Sequence, residues 1–308
     1  MTSACLVCLA PAPDTERYHV RCLRSLFGVP RLPALHVELA KLHTLALAMV
    51  GHTSLSGIQR KISLGLSVER TTLQVATEGG LYILKPQAQT FPSLPENEHV
   101  TMRIAARAGL VIPRCGLVAL EDGSLAYVAR RFDRTDSGAK RLQEDFCQLA
   151  VRSPKDKYQG SAELCARLVL RYASEPLVES ARLFRLLVFT WWTGNGDMHL
   201  KNFSLLRGDD GLQRLSPAYD LLCTRLVIPE DLLALSISGN KKNVTRRQWM
   251  ELAQACQLLP RAAERVMREV GGALEEALAL IERSALPAAM QRDYSALLAE
   301  RAPVLLGD

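Results

Sequence analysis

Apolar residues recur along this chain with two different periods. Over residues 35–50, Leu35, Leu39, Leu42, Leu45 and Met49 return every three or four positions, which predicts a helix ended by Gly51. From residue 62 the period shortens to two. Residues 62–68, 71–77 and 81–85 read as three strands, turned by Glu69-Arg70 and by Gly79-Gly80. Pro95-Glu96-Asn97-Glu98 opens a helix running to about residue 108, with proline placed early and acids in the first turn. Residues 111–120 and 125–132 then predict a hairpin around Glu121-Asp122-Gly123. Beyond about residue 140 the spacing turns helical, over 143–151, 161–172 and 176–193. Residues 245–308 hold further amphipathic helices, of which 264–281 is the clearest. Strands followed by helices make an α+β chain of two lobes, a β-rich one over 1–135 and a mostly helical one over 136–308.

The densest chemistry lies just past the run at 183–193, in Gly194-Asn195-Gly196-Asp197-Met198-His199-Leu200-Lys201-Asn202, with Asp220 following inside Pro217-Ala218-Tyr219-Asp220-Leu221. Phosphoryl transfer needs an acid to orient the attacking hydroxyl and oxygen ligands to hold Mg²⁺ against the ATP phosphates. In protein kinases the catalytic Asp is followed five residues later by a metal-binding Asn, with a further Asp downstream. Asp197 and Asn202 have that separation, and Asp220 is the candidate further ligand. Trp191 and Trp192 read as core anchors beneath this loop. His199 reads as a packed histidine that orients the loop, in preference to a proton shuttle. Lys201 is either a cation for the transferring phosphate or a solvent-facing lysine.

Three upstream segments fit the same chemistry. Thr53-Ser54-Leu55-Ser56-Gly57 is a small-residue loop of the kind whose N–H groups can lie over phosphates, although most such loops only turn the chain. Lys85 ends an apolar strand, as the phosphate-pairing lysine of a kinase does, or as the strand's emergence into solvent. Glu98 either pairs with Lys85 or simply favours its helix terminus. Arg130-Arg131-Phe132-Asp133-Arg134 continues a strand where kinases grip adenine through backbone groups. Asp133 is the candidate for a ribose hydroxyl, the alternative being a surface pair with Arg131 or Arg134. Arg130, Phe132, His199 and Lys201 complete the candidate ATP-binding positions.

Composition adds boundaries. The 308 residues suffice for two cores, and the net charge of +6 is too modest and too dispersed to mark a nucleic-acid surface. No apolar run reaches the roughly 20 residues of a membrane helix. The N-terminus lacks the charged start and apolar core of a signal peptide, and the eight cysteines are irregularly spaced, so the expected location is the reducing cytoplasm. Cys5-x-x-Cys8 with His19-x-x-Cys22 has the ligand types and spacing of a small structural zinc knuckle, or else supplies small core side chains and a surface histidine.

Seven segments in unbroken order over roughly residues 50–225 resemble the HipA family of bacterial serine/threonine kinases. They are Ser56-Gly57-Ile58-Gln59-Arg60-Lys61, Tyr82-Ile83-Leu84-Lys85-Pro86, Pro95-Glu96-Asn97-Glu98, Arg131-Phe132-Asp133-Arg134, Gln143-Glu144-Asp145-Phe146-Cys147-Gln148, Gly196-Asp197-Met198-His199-Leu200-Lys201-Asn202-Phe203 and Tyr219-Asp220-Leu221. The resemblance implies a two-lobed protein-kinase-like fold, Lys85 on the ATP phosphates, Asp197 as catalytic acid, and Asn202 and Asp220 on Mg²⁺. Ser54 matches the serine autophosphorylated in the family, and Ser56 lies beside it. Family members are toxins that phosphorylate aminoacyl-tRNA synthetases, accompanied by a DNA-binding antitoxin. HipA proteins carry an extra N-terminal subdomain ahead of the phosphate loop, whereas 53 residues precede Ser54 here. The chain therefore resembles the short form, HipT, which implies that a separate small protein supplies that subdomain. An aminoglycoside- or lipid-type small-molecule kinase would use the same acid–amide–acid set. A non-catalytic docking module is the remaining class, and the intact Lys85, Asp197, Asn202 and Asp220 argue against it.

Overall fold

The structure, a computed structural model, describes residues 4–12, 17–35 and 61–307. The expected helix over 35–50 and the loop carrying Ser54, Ser56 and Gly57 fall outside these residues, save that Leu35 belongs to a two-residue strand. The chain divides into two compact units. The first comprises Met1–Arg103, Pro113–Lys140 and Arg283–Leu286; the second comprises Ile104–Ile112, Arg141–Glu282 and Pro287–Asp308.

The first unit is built on a six-stranded sheet. Its strands are β1 (Ala34–Leu35), β2 (Ile62–Leu66), β3 (Thr72–Val75), β4 (Tyr82–Lys85), β5 (Cys115–Ala119) and β6 (Leu125–Arg130), in the order β1-β3-β2-β4-β6-β5. Every pairing is antiparallel except β1 with β3. The alternation read from the sequence sets the register: Leu64 faces Val75 on one side and Tyr82 on the other, and Leu84 faces Val128. Helix α1 (Val20–Phe27) buries Cys22, Leu23, Leu26 and Phe27 against Leu64, Leu73, Tyr82, Leu84 and Val128. Helix α2 (Leu94–Arg107) supplies Asn97, Glu98, His99 and Thr101, all buried.

The second unit centres on α5 (Pro176–Trp192), buried on nearly every side from Leu183 onward, as expected of a helix surrounded by others. Its companions are α3 (Phe146–Leu149), α4 (Ala162–Tyr172), α6 (Arg246–Ala255), α7 (Pro260–Gly271), α8 (Leu274–Glu282) and α9 (Ala288–Leu306). Trp191 and Trp192 are core residues: Trp192 donates to the Leu298 carbonyl at 3.0 Å, and Trp191 meets Trp249 edge-on. A small antiparallel sheet joins β7 (Gln143–Asp145), β8 (Ser204–Arg207) and β9 (Gln213–Leu215).

Two helix expectations are corrected. Residues 143–151 do not form one helix, because 143–145 pair with β8 and Asp145 then caps the four-residue α3, its carboxylate accepting from Gln148 N at 2.9 Å. The side chain of Gln148 returns a bond to Asp145 N, so the helix start is fixed from both sides. The stretch 264–281 is two helices, since the pair Gly271-Gly272 ends α7 and the chain restarts in α8.

Candidate functional site

Helix α5 stops at Thr193 because Gly194, at φ +68°, takes a left-handed turn, and a Cβ there would also strike Leu297 at 2.7 Å. Gly196 is more constrained: a Cβ would meet the Asp231 carboxylate at 2.1 Å and the Leu232 carbonyl at 2.5 Å. Between these glycines the backbone is tied down. Asn195 Oδ1 accepts from Asp197 N at 3.1 Å, and Asn195 Nδ2 donates to the Asp220 carbonyl at 3.4 Å. Thr224 Oγ1 accepts from Gly196 N at 2.8 Å and also lies against the Gly194 carbonyl and the Asp231 carboxylate. Burial raises the Asp231 carboxyl above its ordinary range, with Thr224 opposing.

Asp197 and Asn202 are brought together. The Asn202 amide nitrogen donates to the Asp197 carbonyl at 2.9 Å, which makes Oδ1 the acceptor end of that amide. Asp197 is 7% and Asn202 4% exposed, so the pair is held in a sheltered pocket of backbone rather than on the surface. Asp220 sits half-buried at φ +55°, an uncommon conformation for a non-glycine residue. Beside it the Tyr219 hydroxyl donates to the Lys201 carbonyl at 2.9 Å, and the Asn195 amide holds Asp220's own carbonyl. Two stretches far apart in sequence are thereby stitched side by side. A carboxylate, an amide oxygen and a second carboxylate are the hard oxygen donors that Mg²⁺ prefers.

His199 is buried and stands edge-on to Tyr158, ring centroids 5.0 Å apart, so it packs as a core group of the loop. Lys201 has a partner that neither sequence reading named, Asp145 Oδ2 at 2.8 Å.

In the first unit, Lys85 does not emerge into solvent. It is 4% exposed, and its ammonium contacts Glu98 Oε1 at 2.5 Å and lies 5.4 Å from the centroid of the Tyr127 ring. Strand β6 fixes this arrangement by pairing Tyr127 directly with Lys85. Asp133 receives both Arg131 (2.9 and 2.6 Å) and Arg134. Burial alone would raise its carboxyl; the hydrogen bond and charge of Arg131, with Arg134, outweigh this and hold it below the ordinary value. Arg130 pairs with Asp136 at 2.6 Å, and Phe132 is half-buried.

A model of the HipA-like C-terminal domain matches residues 53–278. The chain belongs to this family. Two bacterial relatives carry the name "Putative kinase": one from Sinorhizobium fredii (strain NBRC 101917 / NGR234), 38% identical over 61% of this chain and 49% of its own length, and one from Haemophilus influenzae (strain ATCC 51907 / DSM 11121 / KW20 / Rd), 32% identical over 55% and 52%. This HipA-family chain thus spans about half the length of the curated relatives it matches. Among solved structures it resembles HipA of Shewanella oneidensis MR-1, determined with HipB and operator DNA, at a TM-score of 0.71 and 20% identity over 88% of this chain and 71% of that one. The proinflammatory kinase CtkA of Helicobacter pylori matches at a TM-score of 0.59 and 15% identity, over 84% and 93%. These likenesses show a shared α+β kinase-like fold.

Two buried or part-buried polar anchors of the second unit escaped the sequence reading. Tyr158 donates to Asp197 Oδ1 at 2.5 Å from a turn 39 residues upstream. Glu179, 1% exposed, pairs with Arg182 and accepts from Leu215 N at 2.9 Å, fixing α5 to β9. A buried carboxylate in an apolar helix was the available signal for Glu179; nothing in the sequence marks Tyr158.

Proposed function

We propose that this protein is an ATP- and Mg²⁺-dependent serine/threonine protein kinase. The observation that carries the reading is the tie from the Asn202 amide to the Asp197 carbonyl, in a loop that also grips the backbone of Asp220. Asp197 orients the acceptor hydroxyl, and Asn202 and Asp220 hold the metal through oxygen. Held by Asn202 and Asp220, Mg²⁺ would supply positive charge to offset that of the transferring phosphate. Lys85, oriented by Glu98, contacts the α- and β-phosphates. Backbone groups at Arg130 and Phe132, with Asp133, serve the nucleoside. Asp133 would have to exchange part of its arginine pairing for a ribose hydroxyl.

Family membership supports a role as the toxin of a toxin–antitoxin pair that phosphorylates an aminoacyl-tRNA synthetase. The Shewanella relative, solved with HipB and operator DNA, supports a DNA-binding antitoxin as partner. Phosphate on Ser54 or Ser56 would add roughly −1.5 to −2 charges where ATP phosphates bind, and so inhibit.

The test is transfer of the ATP γ-phosphate in cell lysate by the wild type and by Asp197→Asn. Labelled protein, with a synthetase among the phosphopeptides and no label from the variant, is expected. Label confined to small acceptors overturns the protein-kinase reading, and transfer retained by Asp197→Asn overturns the assignment of the acid.

A further inference from the structure

Cys5, Cys8, His19 and Cys22 form a cluster that the phosphoryl-transfer chemistry does not use. One ligand atom from each lies within 4.8 Å of all the others. Cys8 Sγ is 3.3 Å and Cys22 Sγ 3.7 Å from His19 Nδ1. Zn–S bonds of about 2.3 Å and Zn–N bonds of about 2.0 Å in a tetrahedron put sulfur and nitrogen roughly 3.5 Å apart. The observed spacings bracket that value. All three cysteines are free thiols, and Cys5 and Cys22 are buried.

The scaffold aims these groups inward. Cys5 and Cys8 flank a tight turn closed by bonds from Leu9 N to the Cys5 carbonyl and from Cys5 N to the Ala10 carbonyl, both 2.9 Å, with Leu9 at φ +58°. His19 immediately precedes α1, and Cys22 lies in its first turn. His19 Nε2 donates to the Pro11 carbonyl at 2.9 Å, which assigns the ring proton to Nε2 and leaves the Nδ1 lone pair facing the sulfurs. An outer hydrogen bond of this kind fixes the tautomer of a metal-ligating histidine. Soft thiolates with one imidazole in tetrahedral spacing select zinc over hard oxygen-seeking cations.

We propose that these four residues bind one structural Zn²⁺, and that the metal clips the N-terminal turn onto the element carrying Glu98. Between the first two ligands, the Leu6 carbonyl accepts from Leu117 N of β5 at 2.8 Å, and the Val7 carbonyl accepts from His99 Nε2 at 3.1 Å. Gly116 permits this approach, since a Cβ there would meet Val7 Cγ2 at 2.9 Å. His99 is fully buried beside Glu98, the partner of Lys85. With four protein ligands the ion has no open position, so its role is to hold structure. Metal binding of this type contributes directly to folding.

The full chain, expressed with zinc and purified without chelator, is expected to carry about one zinc per chain by mass spectrometry. Cobalt exchanged into it should show the thiolate charge-transfer band and tetrahedral visible absorption. Cys8→Ser should lower the zinc content to below about a tenth, whereas Cys165→Ser, at a buried cysteine in α4, should not. Chelation of the wild type should speed amide exchange around Leu117 and residues 97–99 more than in α7. A wild-type chain that contains no zinc and gives no cobalt–thiolate band overturns the site, as does a Cys5–Cys8 or Cys8–Cys22 disulfide in the purified protein. Should Cys8→Ser fail to fold, the cobalt spectrum of the wild type decides alone. Zinc present but exchange at 97–99 unchanged on its removal overturns the clip.

Discussion

The hydroxyl of Tyr158 donates to Oδ1 of Asp197 at 2.5 Å, from the turn that follows α3. The bond holds one carboxylate oxygen in place, and the same ring packs on His199, so Tyr158 braces both the proposed catalytic acid and the histidine two residues beyond it. A hydrogen bond to a charged group contributes about 1.5–3 kcal/mol. If that is expressed in the transition state, Tyr158→Phe should lower kcat for phosphate transfer by about 10- to 100-fold. The KM for ATP should stay near the wild-type value, since Tyr158 touches the acid rather than the nucleotide. Steady-state kinetics on the variant check this, and an unchanged kcat would remove Tyr158 from the mechanism.

Lys85 and Glu98 are a buried ion pair, and breaking such a pair leaves an uncompensated charge in the interior. Glu98→Gln is expected to cost about 3–5 kcal/mol in urea unfolding. Lys85→Met combined with Glu98→Leu should recover most of that stability, because apolar replacement of both partners removes the desolvation penalty. The double variant should still transfer no phosphate. A double variant as unstable as the single one would show that the ion pair is not the source of the loss.

Gly196 has no room for a side chain against Asp231 and the Leu232 backbone. Gly196→Ala should therefore destabilise the protein by about 1–3 kcal/mol and displace the loop that bears Asp197. Thermal unfolding and transfer activity measured together provide the check. Wild-type values for both would mean that the loop relaxes without cost.

Asp145 serves two partners, capping α3 and pairing with Lys201. Asp145→Ala loses the cap and should cost about 1–2 kcal/mol, whereas Lys201→Ala loses a partly exposed pair worth at most about 1 kcal/mol. Their comparison separates the two roles of Lys201. If Lys201→Ala abolishes transfer at near-normal stability, the lysine acts on phosphate; if activity falls only as stability falls, it is a strut for α3.

Much of the sheet was legible because its period is local. Residues 62–66 alternate apolar and small residues in the sequence and pair as β2, and Glu98 lies near enough along the chain to be named as a partner for Lys85. The separation of Asp197 from Asn202 was equally readable, since a five-residue interval in one loop survives any arrangement of the rest. Residues 143–151 misled because Phe146, Cys147 and Leu149 suit a helix, while the pairing of 143–145 with β8 depends on a strand sixty residues away. The break at Gly271-Gly272 was visible in composition but was overridden by the apolar periodicity on either side.

Sequence alone determined the elements whose hydrophobic period is set by neighbours, and which acids, amide and lysine are the candidates for the proposed chemistry. Tertiary structure decided which of those groups meet. The Tyr158–Asp197 bond and the Asp145–Lys201 pair join positions that no local repeat relates. Backbone periodicity carries information over a few residues. Pairing of buried polar groups is settled only when the chain packs, because an unsatisfied donor or charge in the interior costs more than the folded state can tolerate.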